Sequence, residues 1–221
     1  MNLKSELLSN VLKILLWVLL SLSAMDLVGT LIYSTNIDFY LEYVYSINNF
    51  LLLLSIVLYL VIIVVYLIWI YRVHMDLNNL FVNYPRSPGM SLVCMMVPFY
   101  NFYGIPSIYM RIGEFYSQYT SGLDKQGRWI SRLAVPLMLS LFVLSGLNRT
   151  ISNADGEPST GLWFALGVAE LITYSIFLIV CFQVSQGLKI MQTKQAASMS
   201  NTETSADWDS PVNEAAIPPI L

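Results

Sequence analysis

Few residues in this chain carry groups that could do chemistry, and most of those lie inside apolar stretches. Asp26 falls within residues 11–33 and Glu170 within residues 162–184, both runs long enough to span a bilayer. Each carboxyl sits about 7 or 8 residues from the same side, roughly 10–12 Å deep at 1.5 Å per residue. Two acids at matching depth could relay a proton or hold a cation. In the competing reading, the hydroxyls of Ser23, Thr30, Thr173 and Tyr174 cap them and they only fix helix packing. Asn101 is the next candidate. It stands between Pro98 and Pro106, with Tyr100, Tyr103 and Gly104 beside it. Prolines free backbone carbonyls, which could meet an ion or a small polar ligand, or be satisfied by Asn101 itself.

Catalytic and metal-binding sets are missing from the pattern. The lone His74 excludes a multi-histidine metal site, and neither GxxxxGK nor GxSxG occurs. No metal or cofactor is expected. Cys94 and Cys181 form no CxxC pair and read as small buried hydrophobes. Arg111 and Glu114, three apart, are expected to pair at an interface. Asn148-Arg149-Thr150 has the glycosylation spacing, which has meaning only in a secreting eukaryote.

The elements that must position these groups follow from composition. Of 221 residues, 56% are hydrophobic and 11% charged, against about a quarter charged in soluble domains. A net charge of −3 without a basic patch gives nucleic acid no footing. We divide the chain into a polar lead (1–10), a transmembrane bundle (11–184) and an acidic tail (185–221) expected to be disordered. Spans are expected at 11–33, 50–70, 129–147 and 162–184, joined by a loop at 34–49. The first resembles a signal peptide, but its apolar run continues past Ala24, which favours an uncleaved helix. Trp69 and Tyr71 read as interfacial anchors. Residues 72–84 read as an amphipathic helix with Val73, Leu77, Leu80, Phe81 and Tyr84 on its apolar face; His74 and Asp76 belong to the solvated face. Residues 91–116, apolar but interrupted by Pro98, Gly104, Pro106 and Gly113, read as a broken, re-entrant segment.

Charge asymmetry supports that last reading. If the segment returns to its own side, Lys4, Lys13, Arg72, Arg86, Arg111, Lys125, Arg128, Arg132, Lys189 and Lys194 share one side and Arg149 stands alone opposite. The positive-inside rule makes the crowded side cytoplasmic. Four crossings in the cell membrane, with both termini in the cytoplasm, result.

Residues 69–77 (WIYRVHMDL), 88–90 (PGM) and 97–106 (VPFYNFYGIP) together resemble a bacterial domain-of-unknown-function family. Its members are small multi-pass membrane proteins with a W-x-Y-R-x-H-x-x-L helix end, a P-G turn and a P-x-x-N-x-x-x-P core. Trp69, Tyr71, Arg72, His74, Leu77, Pro88, Gly89, Pro98 and Asn101 fit that pattern. Pro106 comes one residue late, and residues 91–97 lack the tryptophan usual in the family. The resemblance implies a bacterial membrane protein and carries no activity.

The expected fold is all-α: a polytopic bundle of four spanning helices, one amphipathic surface helix and one broken re-entrant segment. The leading functional expectation is a non-enzymatic membrane protein that binds a partner or small ligand around Asn101. Its acidic tail, residues 202–214, would contact another protein. The alternative is a small transporter or ion-conducting protein using Asp26 and Glu170. An intramembrane enzyme comes third, for want of a nucleophile–base pair. Ligand and oligomeric state are not encoded in any motif.

Overall fold

The structure, a computed structural model, describes residues 3–81, 84–97, 100–119, 122–154 and 156–206. Among them every regular element is helical: α1 (Glu6–Thr35), α2 (Ile37–Phe39), a π-helical turn (Tyr40–Val44), α3 (Tyr45–Leu80), α4 (Pro88–Met96), α5 (Tyr100–Tyr119), α6 (Asp124–Ser152) and α7 (Thr160–Ala206). Four stretches are long and apolar enough to cross a membrane: Glu6–Thr35, Ile37–Leu80, Asp124–Ser152 and Thr160–Ala197. That is the organisation of a multi-pass membrane protein in a lipid environment.

Helix α1 opens on a cap that comes from far along the chain. Asp76 Oδ1 accepts from the Lys4 backbone N–H at 3.1 Å and Oδ2 from that of Ser5 at 2.9 Å. The Ser5 side chain makes no cap of its own. A helix start leaves backbone donors unsatisfied and its dipole favours negative charge there, so one carboxylate answers both needs. The lead is therefore packed rather than loose, with Leu3, Ser5 and Ser9 buried.

From there α1 lies against α3 and α7, α6 packs on α5 and α7, and α4 packs on α3 and α5. Two glycines allow the α5–α6 backbones to meet. A Cβ at Gly127 would stand 2.5 Å from the Gly113 carbonyl oxygen, and one at Gly113 would collide with Ser131 Oγ. Gly104 does the same for α4 and α5, where a Cβ would strike the Cys94 carbonyl. Close approach of this kind is how small residues join helices in lipid.

Several expectations change. Residues 34–49 are not a loop: Asn36 caps α2, its side chain accepting from Phe39 N at 3.0 Å, and helical turns run on into α3. Residues 72–80 are the last turns of α3 and not a separate amphipathic helix. His74 is 0% and Asp76 1% exposed where solvation was expected, while Arg72 and Asn79 stay exposed. Trp69 is buried rather than interfacial, its Nε1 donating to Ser9 Oγ at 2.7 Å. The chain breaks after Met96 but not at Pro106, which lies inside α5. The tail expected from Ser185 is helical to Ala206, with Ser185, Leu188 and Met191 buried. Lys189 Nζ pairs with Glu6 Oε1 at 2.8 Å, and the Tyr116 hydroxyl donates to the Val184 carbonyl at 3.1 Å.

Candidate functional site

Between the helices lies a cavity of about 520 Å³. Helix α1 contributes Leu12, Leu16 and Leu19, and α3 contributes Tyr59, Ile62, Ile63, Tyr66 and Leu67. The break between α4 and α5 places Met95 on one side of it and Ile105 and Pro106 on the other. Met138, Leu141, Ser145 and Asn148 of α6 and Thr173, Tyr174, Phe177 and Cys181 of α7 complete the wall. The lining is mostly aliphatic and aromatic, with a few hydroxyls. The hydroxyls of Tyr66 and Tyr109 bond each other at 2.6 Å, and Thr173 Oγ1 donates to the Ala169 carbonyl at 2.7 Å.

Asp26 and Glu170 lie on facing sides of α1 and α7. Asn48 Nδ2 donates to Asp26 Oδ1 at 3.2 Å, and the Ser23 hydroxyl donates to Glu170 Oε2 at 3.4 Å. Of the hydroxyls expected to cap them, Ser23 alone does so. Thr30 bonds the backbone carbonyl of Asp26 and Thr173 that of Ala169. Asn48 escaped notice because residues 34–49 read as a loop, which hid its return to α1. Neither acid lines the cavity.

Trp69, Arg72, His74 and Leu77 lie at the opposite end, beside Ser5. Trp69 binds Ser9, Arg72 Nη1 donates to the Lys4 carbonyl at 3.2 Å, and Leu77 is fully buried. Tyr71 is 38% exposed and makes its contribution at the surface. Pro88 is the first residue of α4, Ser87 capping it by accepting from Met90 N at 3.3 Å, and Gly89 follows on an open face. His74 Nδ1 lies 2.9 Å from the Ile70 carbonyl oxygen. A carbonyl only accepts, so Nδ1 carries a proton there. Burial pushes the Tyr84 hydroxyl above its usual range, so it keeps its proton.

Pro106 and Tyr103 are placed, the first buried in the cavity wall and the second 66% exposed. Tyr100 and Asn101 open α5 and their side chains lie outside the described residues, as does all of Pro98. Residues 207–221, most of the acidic stretch, lie outside them too. Arg111 and Glu114 stand 3.9 Å apart at the surface. Among the described residues no group of three His, Cys, Asp or Glu could hold a metal. Cys94 and Cys181 are buried free thiols. Comparison with family models, curated proteins and solved structures finds no match to this chain.

Proposed function

We propose that this is a non-enzymatic membrane protein that binds a largely apolar, lipid-class ligand in the cavity between its helices. The cavity itself carries the reading. At about 520 Å³ it falls within the range of small-molecule sites, roughly 300–1,000 Å³. Its mainly apolar wall with scattered Tyr, Ser, Thr and Asn groups suits a long or planar apolar body bearing one polar function. The centre then lies one turn beyond Asn101, at Ile105 and Pro106.

On this proposal α4 and α5 form a re-entrant hairpin. In support, Gly104 meets Cys94 at its closest point, Met95 and Ile105 reach the depth of Leu12–Leu19, and the chain after α5 brings Gly122 beside Lys194. Lys4, Arg72 and Lys189 lie at that same end, through Arg72 to Lys4 and Lys189 to Glu6. We assign this end to the cytoplasm by the positive-inside rule.

Organic extraction of gently purified protein, followed by mass spectrometry, tests the ligand. We expect a retained apolar species near equimolar ratio, lost in Leu141→Trp and Ile105→Trp, which fill the cavity. Retention of the same species by both variants sinks the reading. The hairpin is tested separately, with Cys94 and Cys181 replaced and one cysteine at Gln126. Protection from an impermeant thiol reagent until lysis is expected; labelling of intact cells makes residues 91–116 a fifth crossing.

A further inference from the structure

The cavity between the helices is not uniform along its length. Its polar groups gather toward the Thr35 end: Tyr59 of α3, Ser145 and Asn148 of α6, and Thr173 and Tyr174 of α7. Toward the Ser5 end the wall is Leu12, Met95, Ile105, Pro106 and Cys181, almost wholly apolar. Thr173 Oγ1 gives its hydrogen to the Ala169 carbonyl at 2.7 Å, and Asn148 Nδ2 donates to the Leu144 carbonyl at 3.0 Å. The oxygens of both side chains are left to accept. Tyr59, Ile63, Ser145 and Asn148 line the cavity and are exposed, so it opens beside them, between α3 and α6.

Asp26 and Glu170 lie just beyond that polar end. Glu170 precedes Tyr174 by four residues on α7, and Ser23, which bonds Glu170 at 3.4 Å, follows Leu19 by four on α1. Residues four apart share a helix face, and both Tyr174 and Leu19 line the cavity. The Glu170 charge acts on the Tyr174 and Tyr59 hydroxyls, and the Asp26 charge acts on Glu170. Among the described residues no Lys, Arg or His is in the wall; Arg149, next to Asn148, is exposed and outside it. Four aromatic rings are in the wall, those of Tyr59, Tyr66, Tyr174 and Phe177, with Tyr66 and Phe177 edge to face at 5.5 Å. The faces of such rings attract cations.

Shape, rings and charge agree on one class of occupant. The apolar end suits a hydrocarbon body. The other end offers acceptor oxygens, ring faces and two nearby acids to a positive head. A negative head there would meet like charge in a medium that screens it poorly. We propose that the cavity binds an amphiphilic organic cation, an ammonium head on an apolar body. The head lies among Tyr59, Asn148 and Tyr174, and the body runs toward Met95 and Ile105. Glu170 and Asp26 act on the head through their charge, from one turn away, without lining the cavity. The opening between α3 and α6 admits such a molecule from the bilayer. This inference rests on the reading of the cavity as a ligand site and names the ligand's class.

The test uses the full chain, delipidated in maltoside detergent and immobilised on scintillation beads. Two tritiated probes are compared: dodecyltrimethylammonium and its neutral analogue, in which carbon replaces the nitrogen. We expect both to bind saturably, the cation more tightly, and Leu141→Trp to lose both. Glu170→Gln still offers an oxygen to Ser23; it should weaken the cation roughly tenfold and leave the neutral probe unchanged. Asp26→Asn, farther from the wall, should weaken the cation about threefold. Equal affinity for the two probes overturns the cationic assignment, as does an equal effect of Glu170→Gln on both, and the cavity reading then survives. Failure of either probe to bind wild type, or full retention of both by Leu141→Trp, overturns the cavity reading and this inference with it. If Leu141→Trp does not fold, Ile105→Trp takes its place. If Glu170→Gln does not fold, Asp26→Asn decides, and an unchanged ratio of the two affinities then overturns the assignment.

Discussion

The two ends of the bundle hold their polar groups differently. Toward Thr35, Asp26 and Glu170 each have one side-chain contact to a neighbouring helix, at 3.2 and 3.4 Å, and both remain partly exposed. Toward Ser5, Asp76 accepts two backbone N–H groups at 1% exposure, and Trp69 and His74 are fully covered. Helices α4 and α5, the lead and the late turns of α7 pack around the Ser5 end and supply the cover. At the Thr35 end Met25, Val28, Leu31, Phe50, Leu53 and Val57 face outward. Asp76 and His74 are buried where α4, α5 and the lead surround them, whereas Asp26 and Glu170 stay at the edge of the bundle.

That contrast can be broken at its strongest point first. Asp76→Ala should destabilise the protein by about 3 kcal/mol, because two charge-assisted bonds and the start of α1 depend on the carboxylate. Thermal melting in detergent, followed by circular dichroism, reads the loss; a change no larger than that of Asp26→Asn would remove the distinction between the ends. Gly127→Ala should cost about 2 kcal/mol, since its Cβ meets the Gly113 carbonyl and the α5–α6 contact must open. The same melting assay checks it, and a stabilised variant would count against the tight crossing. Trp69→Phe loses the bond to Ser9, for about 1 kcal/mol, and leaves part of a fully buried ring's space unfilled at further cost. Here a double-mutant cycle with Ser9→Ala, showing a coupling of about 1 kcal/mol, would locate that part of the effect in the bond.

At the Thr35 end the effects should be smaller. Asp26→Asn still offers an acceptor to Asn48 and should change stability by no more than about 1 kcal/mol. Proton flux in proteoliposomes should be the same in wild type, Asp26→Asn and Glu170→Gln; flux present in wild type and lost in both variants would turn this end into a relay. Smallest of all, Arg111→Ala should cost roughly 0.3 kcal/mol, because its 3.9 Å pair with Glu114 is exposed on both sides.

The number of apolar helices was legible because length and hydropathy suffice for it. Residues 11–33, 129–147 and 162–184 all fall inside the helices found. Helix ends were less legible. The α3 start was hidden because Asn36 begins a helical turn where polar residues suggested a loop. The α7 end was hidden because Leu188, Ile190 and Met191 are a short apolar group in a polar stretch, and only the tertiary structure shows that Leu188 and Met191 are buried. Of the candidate site residues, Pro106 reaches the cavity while Asp26 and Glu170 do not. Arg86 counted only as a charge on one side of the bilayer, and its bonds to Ser107 and, through its carbonyl, to Asn78 were not legible.

The chain's own chemistry determined that four stretches become helices able to cross a bilayer, since each must satisfy its backbone within itself in lipid. It also implied, through Pro98, Gly104, Pro106 and Gly113, that the stretch between the second and third of them is not one smooth helix, although α5 runs through the last three. Which faces turn inward was decided by tertiary structure alone. In a helix that is apolar all round, periodicity does not distinguish a lipid-facing residue from a core one. Asp76 shows the same limit for polar groups: its carboxylate is solvated or caps α1 according to what a segment 71 residues earlier does, and nothing local to residue 76 records that.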